Sequence, residues 1–112
     1  MKNDKLYLIH ISECIERIEQ YVSGGKDEFL DSTLIQDAVL RNLQTLAEST
    51  QRISSSLKAT YPHVPYVPWK DISGFRNILV HDYLGLDLEN IWQVVECELP
   101  PLKQQINAII RK

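Results

Sequence analysis

The apolar residues of LIQDAVLRNLQTLAESTQRISSSL, residues 34–57, recur every three or four positions. This spacing places them on one stripe of an α-helix, because successive residues advance by about 100° around the helix axis. Asp31 or Ser32 can cap the N-terminus of this helix. We therefore expect a long helix of about six or seven turns. Its stripe comprises Ile35, Val39, Leu43, Leu46, Thr50, Ile53 and Leu57.

The N-terminal segment has the same helical spacing. It predicts a first helix of about five turns that ends near Gly24-Gly25. Its apolar stripe comprises Leu8, Ile11, Ile15, Ile18 and Val22.

The C-terminal segment predicts two shorter helices. Asp87 can cap a fourth helix, and Pro100-Pro101 then interrupts the backbone hydrogen bonds, so a kink or tight break is expected there. The apolar positions keep almost the same phase across this break: Leu88, Ile91, Val95 and Leu99, then Leu102, Ile106 and Ile109.

Proline recurs at every third position of residues 62–68, which predicts an extended connector between the second and third helices. A proline-rich peptide ligand is the alternative interpretation of this segment. Pro68 suits the first turn of a third helix that runs to about His81 or Tyr83, and Gly85 suits its C-cap. Because no strand-like alternation of useful length occurs, the expected fold is all-α. It is an up-and-down bundle of four main helices plus a short C-terminal helix.

The chain has 112 residues, enough for one helical domain spanning 1–112. No apolar run approaches the roughly 20 residues needed to cross a bilayer, and no leader is visible, so we expect a soluble, cytoplasmic protein. The net charge of −3 argues against a generic nucleic-acid binder. Local cations could still contact RNA, although most would be ordinary surface charges; the candidates are Arg41, Arg52, Lys58, Lys70 and Arg76.

The two cysteines, Cys14 and Cys97, lie in helical segments and are expected to be core thiols rather than a disulfide. The three histidines, His10, His63 and His81, lie far apart and show no metal-ligand spacing with either cysteine. We therefore expect neither a metal nor another cofactor.

Residues 76–83, RNILVHDY, carry the chemistry of phosphodiester cleavage. Arg76 supplies a planar, permanently charged group for phosphate oxygens, and His81 can transfer a proton near neutral pH. On a helical wheel, His81 is displaced by about 140° from Arg76 and points away from the expected core. One helix therefore cannot aim both groups at one atom. A two-fold dimer with this helix near the axis would instead place two Arg76–His81 pairs around one shared cleft.

Asn77 lies about 40° from His81 on the same wheel. It could orient the imidazole or a phosphate oxygen, and ordinary surface solvation is an equally good interpretation. Tyr83 could stack on a base or donate a hydrogen bond to phosphate.

The pattern R-x-x-x-x-H-x-Y resembles the signature of the HEPN ribonucleases, in particular the HepT branch of toxins from bacterial toxin–antitoxin pairs. Two further runs resemble that family: residues 69–75, WKDISGF, before the octet, and residues 34–43, LIQDAVLRNL, at the start of the long helix. The chain departs from the family at Ala47-Glu48-Ser49, where Gly-Glu-Ala is usual, so no role is assigned to Glu48.

The resemblance implies a metal-independent endoribonuclease toxin of a type VII pair, active as a homodimer or a higher assembly on RNA. Arg76 and His81 would be catalytic. The resemblance also implies that an MntA-type nucleotidyltransferase antitoxin silences the toxin by AMPylation of Tyr83. The alternative function is a non-catalytic helical subunit that binds nucleotide or RNA as the partner of a nucleotidyltransferase.

Overall fold

The computed structural model describes residues 4–60 and 87–111, with side chains described through residue 57 and again from residue 87. All regular structure in these two ranges is helical, which confirms the predicted all-α class. The helices are α1 (Asp4–Tyr21), α2 (Lys26–Asp31), α3 (Thr33–Arg52), α4 (Ser55–Thr60), α5 (Leu88–Gln93) and α6 (Leu99–Ile110), with a π-helical turn at Val94–Glu98.

Helices α1 and α3 form the largest helix–helix contact in the described residues, and they run antiparallel. Both follow the predicted spacing, and their stripes form the core together with residues from α2, α5 and α6. Of the two expected caps, Asp31 and Ser32, it is Ser32 that caps α3, since its hydroxyl accepts a hydrogen bond from the Ile35 amide at 3.2 Å. Fully buried members of the core include Ile11, Ile15, Ile18, Val39 and Ile106.

The long helix α3 is shorter than predicted because it ends at Arg52. Ile53 has an extended backbone and a buried side chain, and a separate helix, α4, begins at Ser55. Ser54 caps α4, since its hydroxyl accepts from the Leu57 amide at 3.1 Å. The serine run therefore starts a new helix instead of weakening the end of the previous one.

Asp4, at the start of α1, joins that helix to the junction between α3 and α4. Its carboxylate accepts hydrogen bonds from the Ser54 amide at 2.9 Å and from the Ser54 hydroxyl at 2.6 Å. Burial opposes ionisation of Asp4, but these hydrogen bonds outweigh it and hold the pKa of the carboxyl below its usual value of 3.8.

Asp4 should make the stability of the protein depend on pH in the acid range. The pKa of Asp4 is lowered in the folded state. Its contribution to the free energy of unfolding is therefore fully present above pH 3.8 and is lost as the pH falls through the folded-state pKa. Asp4→Asn should lower the free energy of unfolding by about 1–2 kcal/mol at about pH 6. The difference from wild type should shrink at about pH 3. Urea unfolding at both pH values measures this; a difference that does not change with pH, or one shared by the exposed control Asp31→Asn, would exclude the role.

Helix α2 was not predicted from the sequence. Gly25, with a φ of +93°, turns the chain after α1, as the Gly24-Gly25 pair indicated, and the short helix begins at the next residue. Phe29 is fully buried and its ring lies 5.5 Å from that of Trp92 in α5. An ion pair of 2.8 Å between Lys26 and Glu89 also joins the two helices. A six-residue helix shows no apolar period, so only these contacts reveal it.

The break in the C-terminal segment lies one turn before the prolines. Asp87 caps α5 as predicted, accepting from the Glu89 amide at 2.9 Å. The Leu99 amide then donates to the Val94 carbonyl, five residues back, and closes the π-helical turn. Pro100 and Pro101 occupy the first turn of α6, where a missing amide hydrogen costs least. The helix irregularity that the sequence predicted at the prolines therefore lies in the π-helical turn before them.

The prediction of two core thiols is correct for Cys14 and wrong for Cys97. Cys14 is fully buried, whereas Cys97 is exposed, and both are free thiols. Cys97 lies two residues from each of the buried Val95 and Leu99, which turns it to the opposite side of the helix.

The predicted proline-rich connector and third helix, residues 61–86, lie outside the described residues. Within the part of the chain that the structure describes, no helix is long and apolar enough to span a membrane.

Candidate functional site

The predicted site residues Arg76, Asn77, His81 and Tyr83 all lie between α4 and α5 in the chain, outside the described residues. Their assignment therefore stays a prediction. Of the predicted local cations, Arg41 and Arg52 are exposed on α3. Lys58, Lys70 and Arg76 lie outside the residues whose side chains the structure describes.

A groove of about 450 Å³ lies between α1 and α3 on the described surface. Its walls are apolar near the start of α1, where Leu6 and Ile9 are 63% and 37% exposed. Polar and charged side chains complete it, and we call this surface the α1–α3 groove. Those side chains are His10, Glu13, Thr45, Glu48, Ser49 and Arg52, with Tyr7 beside them.

His10 lines the groove and is held at both ring nitrogens. Its Nδ1 lies 2.6 Å from the Ser49 hydroxyl, and its Nε2 lies 3.7 Å from the Cys14 thiol. The same thiol lies 3.6 Å from the Thr45 hydroxyl. Ser49 and Cys14 are buried, so the ring joins two hydrogen-bonding groups of the helix interface to the surface.

This cluster is a structural network and not a nucleophile–base pair. Burial raises the pKa of the Cys14 thiol, which keeps it protonated and unreactive at neutral pH. Because Ser49 and Cys14, the partners of the two His10 nitrogens, are both buried, neither the hydroxyl nor the thiol is presented to a substrate. Among the residues that the structure describes, no group of three or more histidine, cysteine or acidic side chains could hold a metal ion.

Ser49 explains one part of the departure at Ala47-Glu48-Ser49. The hydroxyl that replaces the usual alanine binds His10, while Ala47 is fully buried in the helix interface and Glu48 is half-buried on the groove wall. Sequence reasoning missed this contact, since His10 and Ser49 lie 39 positions apart and neither breaks the helical pattern.

The fold and the octet together define the class of an all-α ribonuclease, and comparison with known proteins supports this class. The family model described as ribonuclease HepT-like matches residues 11–109. That range includes the octet, most of α1, all of α3 and nearly all of α6. The chain therefore belongs to the HepT-like ribonuclease family.

Two relatives cover nearly the whole chain. The mRNA nuclease HepT of Shewanella oneidensis is 32% identical over 122 aligned positions, covering 88% of this chain and 90% of that protein. A protein of Methanocaldococcus jannaschii, whose name pairs gamma-glutamylcyclotransferase with an RNase designation, is 37% identical over 112 positions. The match covers 99% of this chain but only 49% of that longer relative.

A solved structure of the tri-AMPylated HEPN toxin of Shewanella oneidensis, in complex with MNT antitoxin, has the same fold. The TM-score is 0.72 at 28% identity, and the alignment covers 100% of both chains. These findings confirm the family resemblance and the ribonuclease class inferred from residues 76–83.

Proposed function

We propose that this protein is the endoribonuclease toxin of a type VII toxin–antitoxin pair, which cleaves RNA without a metal in a cleft shared by two copies. The observation that carries the proposal is the octet R-x-x-x-x-H-x-Y at residues 76–83, inside the segment that matches the HepT-like ribonuclease family. The burial of Ser49 beside His10 and the raised pKa of the buried Cys14 thiol leave the octet as the better source of proton-transfer chemistry.

In the proposed reaction, the 2′-hydroxyl of the RNA attacks the adjacent phosphorus and the bond from phosphorus to the 5′-oxygen breaks. One His81 takes the proton from the 2′-hydroxyl, and a second His81 donates a proton to the departing 5′-oxygen. Arg76 holds the phosphate and stabilises the charge that develops on its oxygens. Asn77 would orient the imidazole or a phosphate oxygen. The products are a 2′,3′-cyclic phosphate and a 5′-hydroxyl end.

Cleavage of a labelled RNA in excess chelator tests this function. The wild type should cut the RNA and leave cyclic phosphate ends, whereas an oligonucleotide with a 2′-deoxy group at the cleavage site should stay intact. If purified protein binds RNA or nucleotide but leaves every RNA uncut, the non-catalytic subunit is the correct interpretation. The net charge of −3 is the observation that favours this second function.

AMPylation of Tyr83 is the proposed means of silencing the toxin. The phenol oxygen would attack the α-phosphate of ATP and release pyrophosphate, so that a negatively charged adenylyl group lies near Arg76 and competes with RNA for its guanidinium. The solved relative is itself tri-AMPylated and in complex with MNT antitoxin, which supports both the modification and the class of partner.

Incubation with an MntA-type nucleotidyltransferase and ATP should raise the intact mass of the wild type by one or more adenylyl units. Tyr83→Phe removes the attacking oxygen, so its mass should stay unchanged, while the matched control Tyr66→Phe should be modified like the wild type. Equal modification of Tyr83→Phe and wild type would assign the acceptor to another residue.

A further inference from the structure

The α1–α3 groove combines exposed apolar side chains with two exposed charges of opposite sign, and the half-buried Glu48 also lines it. Leu6 and Ile9 are the large apolar side chains that it exposes, while Arg52 lies on α3 and Glu13 on α1. Within residues 4–60 and 87–111, neither charge has a partner in an ion pair. Neighbouring exposed apolar side chains bordered by such charges fit a protein contact with a polar rim.

Arg52 and Glu13 are placed symmetrically about the His10–Ser49 pair. Arg52 follows Ser49 by three residues on α3, and Glu13 follows His10 by three residues on α1. Because α1 and α3 are antiparallel and His10 contacts Ser49, the two charges lie on opposite sides of that pair. Measured along the helix axes, Arg52 lies about 4.5 Å from Ser49 and Glu13 lies about 4.5 Å from His10.

We propose that the α1–α3 groove is a two-fold contact between two copies of this chain. A two-fold axis through the His10–Ser49 pair, perpendicular to the line that joins the two charges, brings Arg52 of each copy onto Glu13 of the other. Both ion pairs then form at once, and Leu6 and Ile9 of the two copies are covered between them. A surface that is complementary to itself in this way is what an isologous contact requires.

The proposal is independent of the RNA cleft. It concerns described residues of α1 and α3, and its test measures mass and not cleavage. An inactive octet would therefore leave it standing, and a failed groove contact would leave the proposed ribonuclease reaction standing.

Charge reversal tests the contact by sedimentation of the full chain. Glu13→Arg places two arginines opposite each other at both ends of the contact, and Arg52→Glu places two glutamates there. Each reversal alone should weaken self-association by about tenfold or more and halve the mass of the largest species at a fixed concentration. An equimolar mixture of the two variants should recover the wild-type mass, since each end of the mixed contact then joins one arginine and one glutamate. The double variant should recover it as well, for the same reason.

A cysteine cross-link supplies a second readout. In a Cys97→Ser background, Ile9→Cys places a thiol next to the proposed axis, and mild oxidation should produce a covalent dimer. Gln104→Cys, on the exposed side of α6, is the control and should produce much less.

Two results would overturn the proposal: reversals without effect on mass, or a mixture that fails to recover. Reversals that leave self-association intact but abolish binding of a nucleotidyltransferase would assign the groove to that partner instead.

Discussion

His81→Ala should lower the rate of RNA cleavage by about 100- to 10,000-fold, the range that a positioned proton-transfer group contributes. Arg76→Ala should lower it by about 100- to 1,000-fold, because it removes one preorganised stabiliser of transition-state charge. Single-turnover cleavage in excess chelator measures both rates. The matched controls are His63→Ala and Arg111→Ala, which remove the same side chains outside the octet and should cut nearly as fast as the wild type.

A shared cleft makes a further demand on the His81→Ala variant. In the proposed reaction both His81 rings act in one cleft, one as base and the other as acid. A mixed dimer of one wild-type chain and one His81→Ala chain should therefore lose about 100-fold or more of its cleavage rate. If the mixed dimer keeps about half of the wild-type rate, each cleft draws its groups from one chain. If neither single substitution slows cleavage, the octet is not the catalytic site.

Phe29→Ala should destabilise the fold by about 3–5 kcal/mol, the usual cost of removing a buried phenylalanine side chain. Phe29 is fully buried, and its ring contacts Trp92, so the cavity would open between α2 and α5. The Gln36 amide, which donates to the carbonyls of Phe29 and Leu30 at 3.0 Å each, would hold the backbone in place and hinder collapse of that cavity. The free energy of unfolding of a small domain is only about 5–15 kcal/mol, so this loss is a large part of it.

Thermal unfolding followed by circular dichroism measures this effect, with an expected fall in Tm of about 10–20 °C. Leu34→Ala is the control, since Leu34 is 80% exposed in the first turn of α3 and its loss should change stability by less than about 0.5 kcal/mol. A Phe29→Ala variant within about 1 kcal/mol of the wild type would show that α2 contributes little to the core.

The contrast between Phe29 and Leu34 shows where sequence reasoning ends. Leu34 belongs to a strongly amphipathic helix and looks like a core residue by type, yet it is exposed. Phe29 lies in KDEFLD, residues 26–31, a segment too short for an apolar period, yet it is one of the largest fully buried side chains. Burial at both positions depends on which helix packs nearby, and local spacing does not contain that information.

Sequence alone determined the helical class, the stripes of α1 and α3, and the cap at Asp87, because these features depend on residues at most four positions apart. It limited the cap of α3 to Asp31 or Ser32, and the structure decided for Ser32. It also indicated the family, which the comparisons confirm, while the catalytic roles of the octet stay a prediction.

The tertiary structure alone decided the burial of Asp4 against Ser54, the contact of His10 with Ser49 and the partly apolar groove between α1 and α3. The two contacts join residues 50 and 39 positions apart. Such pairs meet only after the helices have packed, so their energies follow from the register of the two helices and not from the spacing within either one.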